Sequence, residues 1–218
     1  MKEKPILFNA EMVKAVLSGR KTQTRRVMKP QPYKYKFGSI GMSVWRWLYK
    51  KKYEFQEQQN WINACPYGRV GERLWVRETF TGCDLPGFGD IPCIVYDDEW
   101  EGDEYKPREA RPWARKFGRI PSIHMPRDAS RINLEITDIR VERVQEMTNK
   151  DAITEGIRFL DRDSYGMQDN WGLSENNYNV MMSNALSSFI LLWNSINKKR
   201  GYGWDVNPWV WVVEFKPC

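Results

Sequence analysis

The closing run Pro208-Trp-Val-Trp-Val-Val-Glu-Phe215 constrains the fold more than any other stretch of this chain. Aromatic and β-branched residues in such density suit a strand inside a sheet, so it is expected to be a central strand. A second strand is equally plain. Arg131 to Val144 has the clearest period-2 pattern, with Ile132, Leu134 and Ile136 on one face, and is expected to form a long strand bent near Asp138.

The remaining elements are read from caps and periodicity. Pro5 to Phe8 suits a short strand, and Asn9 caps a helix reaching Ser18, with Met12, Val13, Val16 and Leu17 as its buried stripe. Gly71 to Phe80 alternates as a strand, which Ile94 to Tyr96 is expected to continue. Thr148 to Asp151 reads as a capping box, with Gly156 ending its helix and leaving Glu155 at the helix end. Ala185, Leu186, Phe189, Ile190, Trp193 and Ile196 define an amphipathic helix. The order β-α-(β)-β-β-α-α-β predicts an α+β fold, a small mixed β-barrel with flanking helices. The chain reads as a single domain, 1–218, with loop insertions near 33–64, 81–120 and 158–180.

One segment reads as a site. Gly19-Arg20-Lys21-Thr22-Gln23-Thr24-Arg25-Arg26 sets a lysine, two hydroxyls and three arginines behind a helix that Gly19 would end in a left-handed turn. Such a cluster offers fork-shaped donors to a polar substrate or phosphate, although basic runs are usually solvated faces.

Composition narrows the chemistry. A formal charge of +6 permits nucleic acid without demanding it, and eleven tryptophans supply core and stacking faces. The single histidine, His124, leaves little room for Ser-His-Asp or Cys-His systems. Cysteines at 65, 83, 93 and 218 have no C-x-x-C spacing, so reduced thiols are expected and neither a zinc site nor another cofactor is indicated. Zinc deaminases of cytosine need P-C-x-x-C, whereas Pro92-Cys93 is followed by Ile-Val-Tyr. With no secretory pattern and no apolar run near the roughly 18 residues of a membrane span, a cytoplasmic protein is expected. Nothing in the sequence sets an oligomeric state.

Gly19, Lys21 and Arg26 match a G-x-K-x-x-x-x-R signature that resembles the ASCH domain, a β-barrel superfamily similar to the PUA fold of RNA-modifying proteins. Ser18 to Thr24 and Val210 to Lys216 resemble the corresponding parts of small bacterial ASCH enzymes that hydrolyse N4-acetylcytidine. Cys65-Pro-Tyr-Gly68, Trp75-Val-Arg-Glu78 and Arg200-Gly-Tyr-Gly-Trp204 resemble pieces of a longer, prophage-associated form. The resemblance implies a metal-independent amidohydrolase for N4-acylated cytosine nucleosides, with Lys21, Thr24 and Glu155 as its catalytic group. Arg26, Arg77 and Glu78 are expected to reach the substrate, though strand alternation leaves one of Arg77 and Glu78 exposed.

Two mechanisms remain open at this level. Thr24 could attack as a covalent nucleophile with neutral Lys21 as base, or orient a water while Glu155 acts as base. Arginines and burial would lower the Lys21 pKa, whereas Glu155 would raise it. Competing readings are an RNA-binding module or ribonuclease, using Trp45 and Lys50 to Lys52 as well, and a phage assembly accessory.

Overall fold

A computed structural model of the chain describes residues 2–37, 42–49, 52–54, 61–84, 92–97, 108–109, 118–162, 169–173 and 183–218. It is α+β. The first half runs β1 (Glu3–Leu7), α1 (Ala10–Leu17), β2 (Gln23–Val27), β3 (Tyr33–Phe37), β4 (Met42–Tyr49), β5 (Lys52–Glu54), β6 (Arg73–Arg77), β7 (Phe80–Asp84) and β8 (Pro92–Tyr96). The second half runs β9 (Arg108–Glu109), β10 (Gly118–Ile120), β11 (Asn133–Arg143), α2 (Asn149–Thr154), β12 (Arg158–Arg162), β13 (Asp169–Gly172), α3 (Ala185–Asn197) and β14 (Trp209–Pro217).

The main sheet has the order β1-β6-β11-β14-β2. Only β1 and β6 run parallel; the other neighbours are antiparallel. As expected, β14 is interior to the sheet, and Trp209 through Val213 are all buried. Its alternation sorts two cores. Trp209, Trp211, Val213 and Phe215 join Ile6, Phe8, Leu74 and Val76 on one face, while Val210 and Val212 pack beneath α2 and α3 on the other. The bend anticipated in β11 is a register shift between Ile136 and Asp138. That extra residue explains why the buried set changes from Leu134 and Ile136 to Ile139 and Val141.

The sheet stays open: among the described residues no ladder joins β1 to β2. The two edges nevertheless approach, because the Arg26 Nη2 donates to the Leu7 carbonyl at 2.6 Å.

Segments expected as insertions contain strands of their own. β3, β4 and β5 form one antiparallel sheet, β10, β7, β8 and β9 a second, and β12 with β13 a hairpin. Ile94 to Tyr96 therefore does not continue the main sheet. The chain leaves β6 after Arg77 and starts a new ladder at Phe80, where β8 pairs with β7. Two further expectations are corrected. Leu17 is 54% exposed, because α1 buries Val13, Ala15 and Val16 instead. Cys93 is disulfide-bonded and stands opposite Cys83 in the β7 to β8 register, so reduced thiols fail there. Cys65 is free, and burial pushes its thiol up to about 11.

Candidate functional site

The site forms where α1 and α2 end together. Asn9 caps α1 by accepting from the Met12 N–H at 2.8 Å, and Gly19 turns the chain at φ 72°. The Arg20 and Lys21 amides then close on the Ala15 carbonyl, each at 2.9 Å. At α2 the expected capping box is present between Thr148 and Asp151, and Gly156 leaves the helix at φ 105°. A Cβ on Gly156 would lie 3.0 Å from Ala15 Cβ and 3.4 Å from Lys21 Cβ, so only glycine lets these ends meet so closely. The Thr22 N–H donates to the Thr154 carbonyl at 2.9 Å, and the Arg20 guanidinium donates to the Gly156 carbonyl at 3.0 Å.

This seam brings together residues 134 positions apart. The Lys21 Nζ lies 2.6 Å from the Glu155 Oε2 and 2.8 Å from its main-chain carbonyl, and both side chains are almost wholly buried. Burial pushes the Lys21 pKa down more strongly than contact with Glu155 raises it, and Arg26 and Arg25 add to the depression.

Alternation along β2 then separates adjacent arginines. Thr24 and Arg26 stand opposite Val213 and Trp211, on the face of the larger core. Gln23 and Arg25 turn to the other face. Arg25 is 5% exposed and clamps the Glu142 Oε1 through Nε at 3.0 Å and Nη2 at 2.6 Å, while its Nη1 reaches the Glu155 Oε1 at 3.4 Å. Arg140 continues the relay, donating to Glu142, Glu214, Gln23 and Asp151. Glu155 is thus held by a cation on each carboxylate oxygen.

Asp151 belongs to the same network. Burial alone would raise its carboxyl, but hydrogen bonds from the Thr148 side chain and main chain and from Gln23, with the charge of Arg25, outweigh that and hold it at about 2. An unfolded aspartate titrates near 3.9, so the unfolded chain binds the proton more readily. The contribution is fully present above about pH 4 and is lost as pH falls through 2. Thermal melts should show Asp151→Asn losing about 1 kcal/mol, or 2–4 °C in Tm, at pH 6, with the gap from the parent closing towards pH 2. A gap that stays constant across that window would remove the carboxylate from the explanation.

A cavity of about 400 Å³ opens along the unpaired edge of β2, within the range of small-molecule sites. Thr24, Arg26 and Glu155 form its polar wall; Tyr67, Trp211, Trp193 and Phe189 bring aromatic faces. Thr24 is buried, and among the described residues its hydroxyl has no hydrogen-bond partner. Lys21 stands behind Glu155 rather than on the wall. Arg26 lies with its guanidinium 5.4 Å from the Phe8 ring centre, and among the described residues its buried Nε has no acceptor.

Arg77 and Glu78 are not on this cavity. The Arg77 Nε donates to the Met125 carbonyl at 3.0 Å. The buried Glu78 takes a two-pronged bond from Arg131, at 3.0 and 2.8 Å, in the junction between the main sheet and β7. Neither is fully exposed: β6 ends at Arg77, so strand alternation does not govern Glu78. The sequence places Arg25 in the basic cluster, and Tyr67 and Trp211 in motifs of the resemblance, without giving any of them a role at the site; charged residues on the non-core parity of β11, at Arg140 and Glu142, are the signal for the polar partner face that Arg25 meets. Lys50 and Lys51 lie outside the described residues, as does the Trp45 side chain.

Among the described residues no cluster of three or more His, Cys, Asp or Glu is placed to hold a metal ion, and no helix is long and apolar enough to cross a membrane. Compared with protein-family models, curated proteins and solved structures, the chain has no match.

Proposed function

We propose that this protein is an amidohydrolase that removes the acyl group from N4-acylated cytosine nucleosides, and that its curled sheet is an open variant of the PUA-like barrel. One observation carries the reading: a threonine hydroxyl without a partner among the described residues and a carboxylate fixed by two cations share the wall of a nucleoside-sized aromatic cavity. The aromatic wall suits stacking of a pyrimidine.

Of the two mechanisms, the geometry supports the water route. The Lys21 ammonium is committed to Glu155 and is absent from the cavity wall, so Glu155 is the group that can meet a nucleophile. A water, losing its proton to Glu155, adds to the acyl carbon. Thr24 and Arg26 donate to the oxygen that becomes negative. The proton on Glu155 then passes to N4 as the C–N bond breaks, releasing the cytosine amine and the carboxylic acid and restoring the carboxylate. Lys21 and Arg25 hold that carboxylate in place.

Purified protein mixed with N4-acetylcytidine should show the ultraviolet change to cytidine. Thr24→Ala should lower kcat about 10²–10³-fold, as removal of one oxyanion donor does. Absence of turnover by the parent protein would refute the proposal. An acetyl group trapped on Thr24 would replace the water route with a covalent one.

A further inference from the structure

Charge on the cavity wall identifies the substrate more narrowly, and this step rests on the hydrolase reading. The wall carries four cations, Arg25, Arg26, Lys29 and Arg200, against one carboxylate, Glu155. Glu155 is already matched by Lys21 and Arg25. Among the described residues, Arg26, Lys29 and Arg200 have no carboxylate at ion-pair distance. A recess lined this way concentrates anions.

The excess is also ordered. Trp211, Trp193 and Phe189 are buried parts of the wall, whereas Lys29 and Arg200 are exposed, so the cavity is aromatic in depth and cationic at its rim. Lys29 and Arg200 share that rim through Tyr202. The Lys29 Nζ lies 5.2 Å from the Tyr202 ring centre, and Arg200 precedes that tyrosine across Gly201 at φ 82°. Cations after α3 also suit the negative end of the helix, but Lys198 and Lys199 serve that purpose off the cavity. Arg200 is the one of the three that faces it.

A cytosine nucleoside is neutral, and its simplest anionic form is a phosphate ester. We infer that the substrate is the 5′-monophosphate, an N4-acylated cytidine nucleotide, with its base against the aromatic wall and its phosphate between Lys29 and Arg200.

Titration calorimetry at low salt, with cytidine and cytidine 5′-monophosphate as probes, tests this apart from catalysis. The nucleotide should bind about tenfold more tightly, as two ion pairs at a solvent edge would supply. The preference should nearly vanish in the Lys29→Ala/Arg200→Ala double variant and in high salt, and persist in Lys199→Ala. Equal binding of the two probes, or a preference that survives the double variant, overturns the inference. If the preference holds but no acylated cytosine compound is hydrolysed, the hydrolase reading fails and the anion site stands. If N4-acetylcytidine and its 5′-monophosphate are hydrolysed with equal kcat/KM, the anion site fails and the hydrolase stands. A short oligoribonucleotide that competes more tightly than the mononucleotide moves the phosphate to an RNA chain and overturns the assignment.

Discussion

Glu155→Gln should lower kcat for N4-acetylcytidine by about 10²–10⁴-fold, the range for loss of a general base, while KM changes little. The amide keeps the shape of the carboxylate but cannot take the proton of water. The same change leaves the Lys21 ammonium buried near Arg25 and Arg26 with its counter-charge gone, 2.6 Å from an atom that no longer carries charge. Breaking one side of a buried ion pair costs about 3–5 kcal/mol, so the single variant will also melt early. A double variant separates the two effects. Glu155→Gln with Lys21→Met removes both charges, and an uncharged pair of similar bulk can match a buried ion pair in stability. Its Tm should therefore recover while its turnover stays lost. Recovery of turnover together with Tm would mean that Glu155 supports the fold and does no chemistry.

The strand β11 is legible from its alternation of buried residues and β14 from a dense aromatic and β-branched run buried on both faces, and even the β11 bend coincides with the polar interruption at Asp138. Helix ends were legible for a different reason: Asn9, Thr148 and Asp151 cap through side chains within three residues. β2 had no such mark. Gln23-Thr-Arg-Arg-Val27 has no apolar alternation, so Arg25 and Arg26 look alike in sequence while the strand sends one to Glu142 and the other over Phe8. Their difference arises from pairing with β14, a partner nearly 190 positions away. The contact of Lys21 with Glu155 followed only from the resemblance, because the close approach at Gly156 that creates it is a tertiary event. Polar strands such as β12 and β13 escaped for the same reason: their order comes from pairing with each other and not from a periodic apolar face.

Arg25→Met should destabilise the fold by about 3–5 kcal/mol, or roughly 6–20 °C in Tm for a chain of this size. Distance alone does not predict this. The Arg25 to Glu142 and Arg119 to Asp97 pairs both close to 2.6 Å. The Arg25 side chain, however, is wholly buried and faces Glu142, Asp151 and Glu155 at once, whereas that of Arg119 is 72% exposed. In water the lost attraction is replaced by hydration; in the interior it leaves Glu142, Asp151 and Glu155 with only Arg140 and Lys21 to offset their repulsion and little solvent to screen it. Arg119→Ala should accordingly melt with the parent protein. Arg25→Lys should recover only part of the loss, since one ammonium cannot reproduce the fork that spans Glu142 and Glu155. Because that fork also steadies the base, kcat of Arg25→Lys should fall while the nucleoside KM holds. If Arg25→Met and Arg119→Ala melted alike, burial would not be what gives the relay from Glu214 to Glu155 its strength, and the rigidity ascribed to Glu155 would lose its physical source.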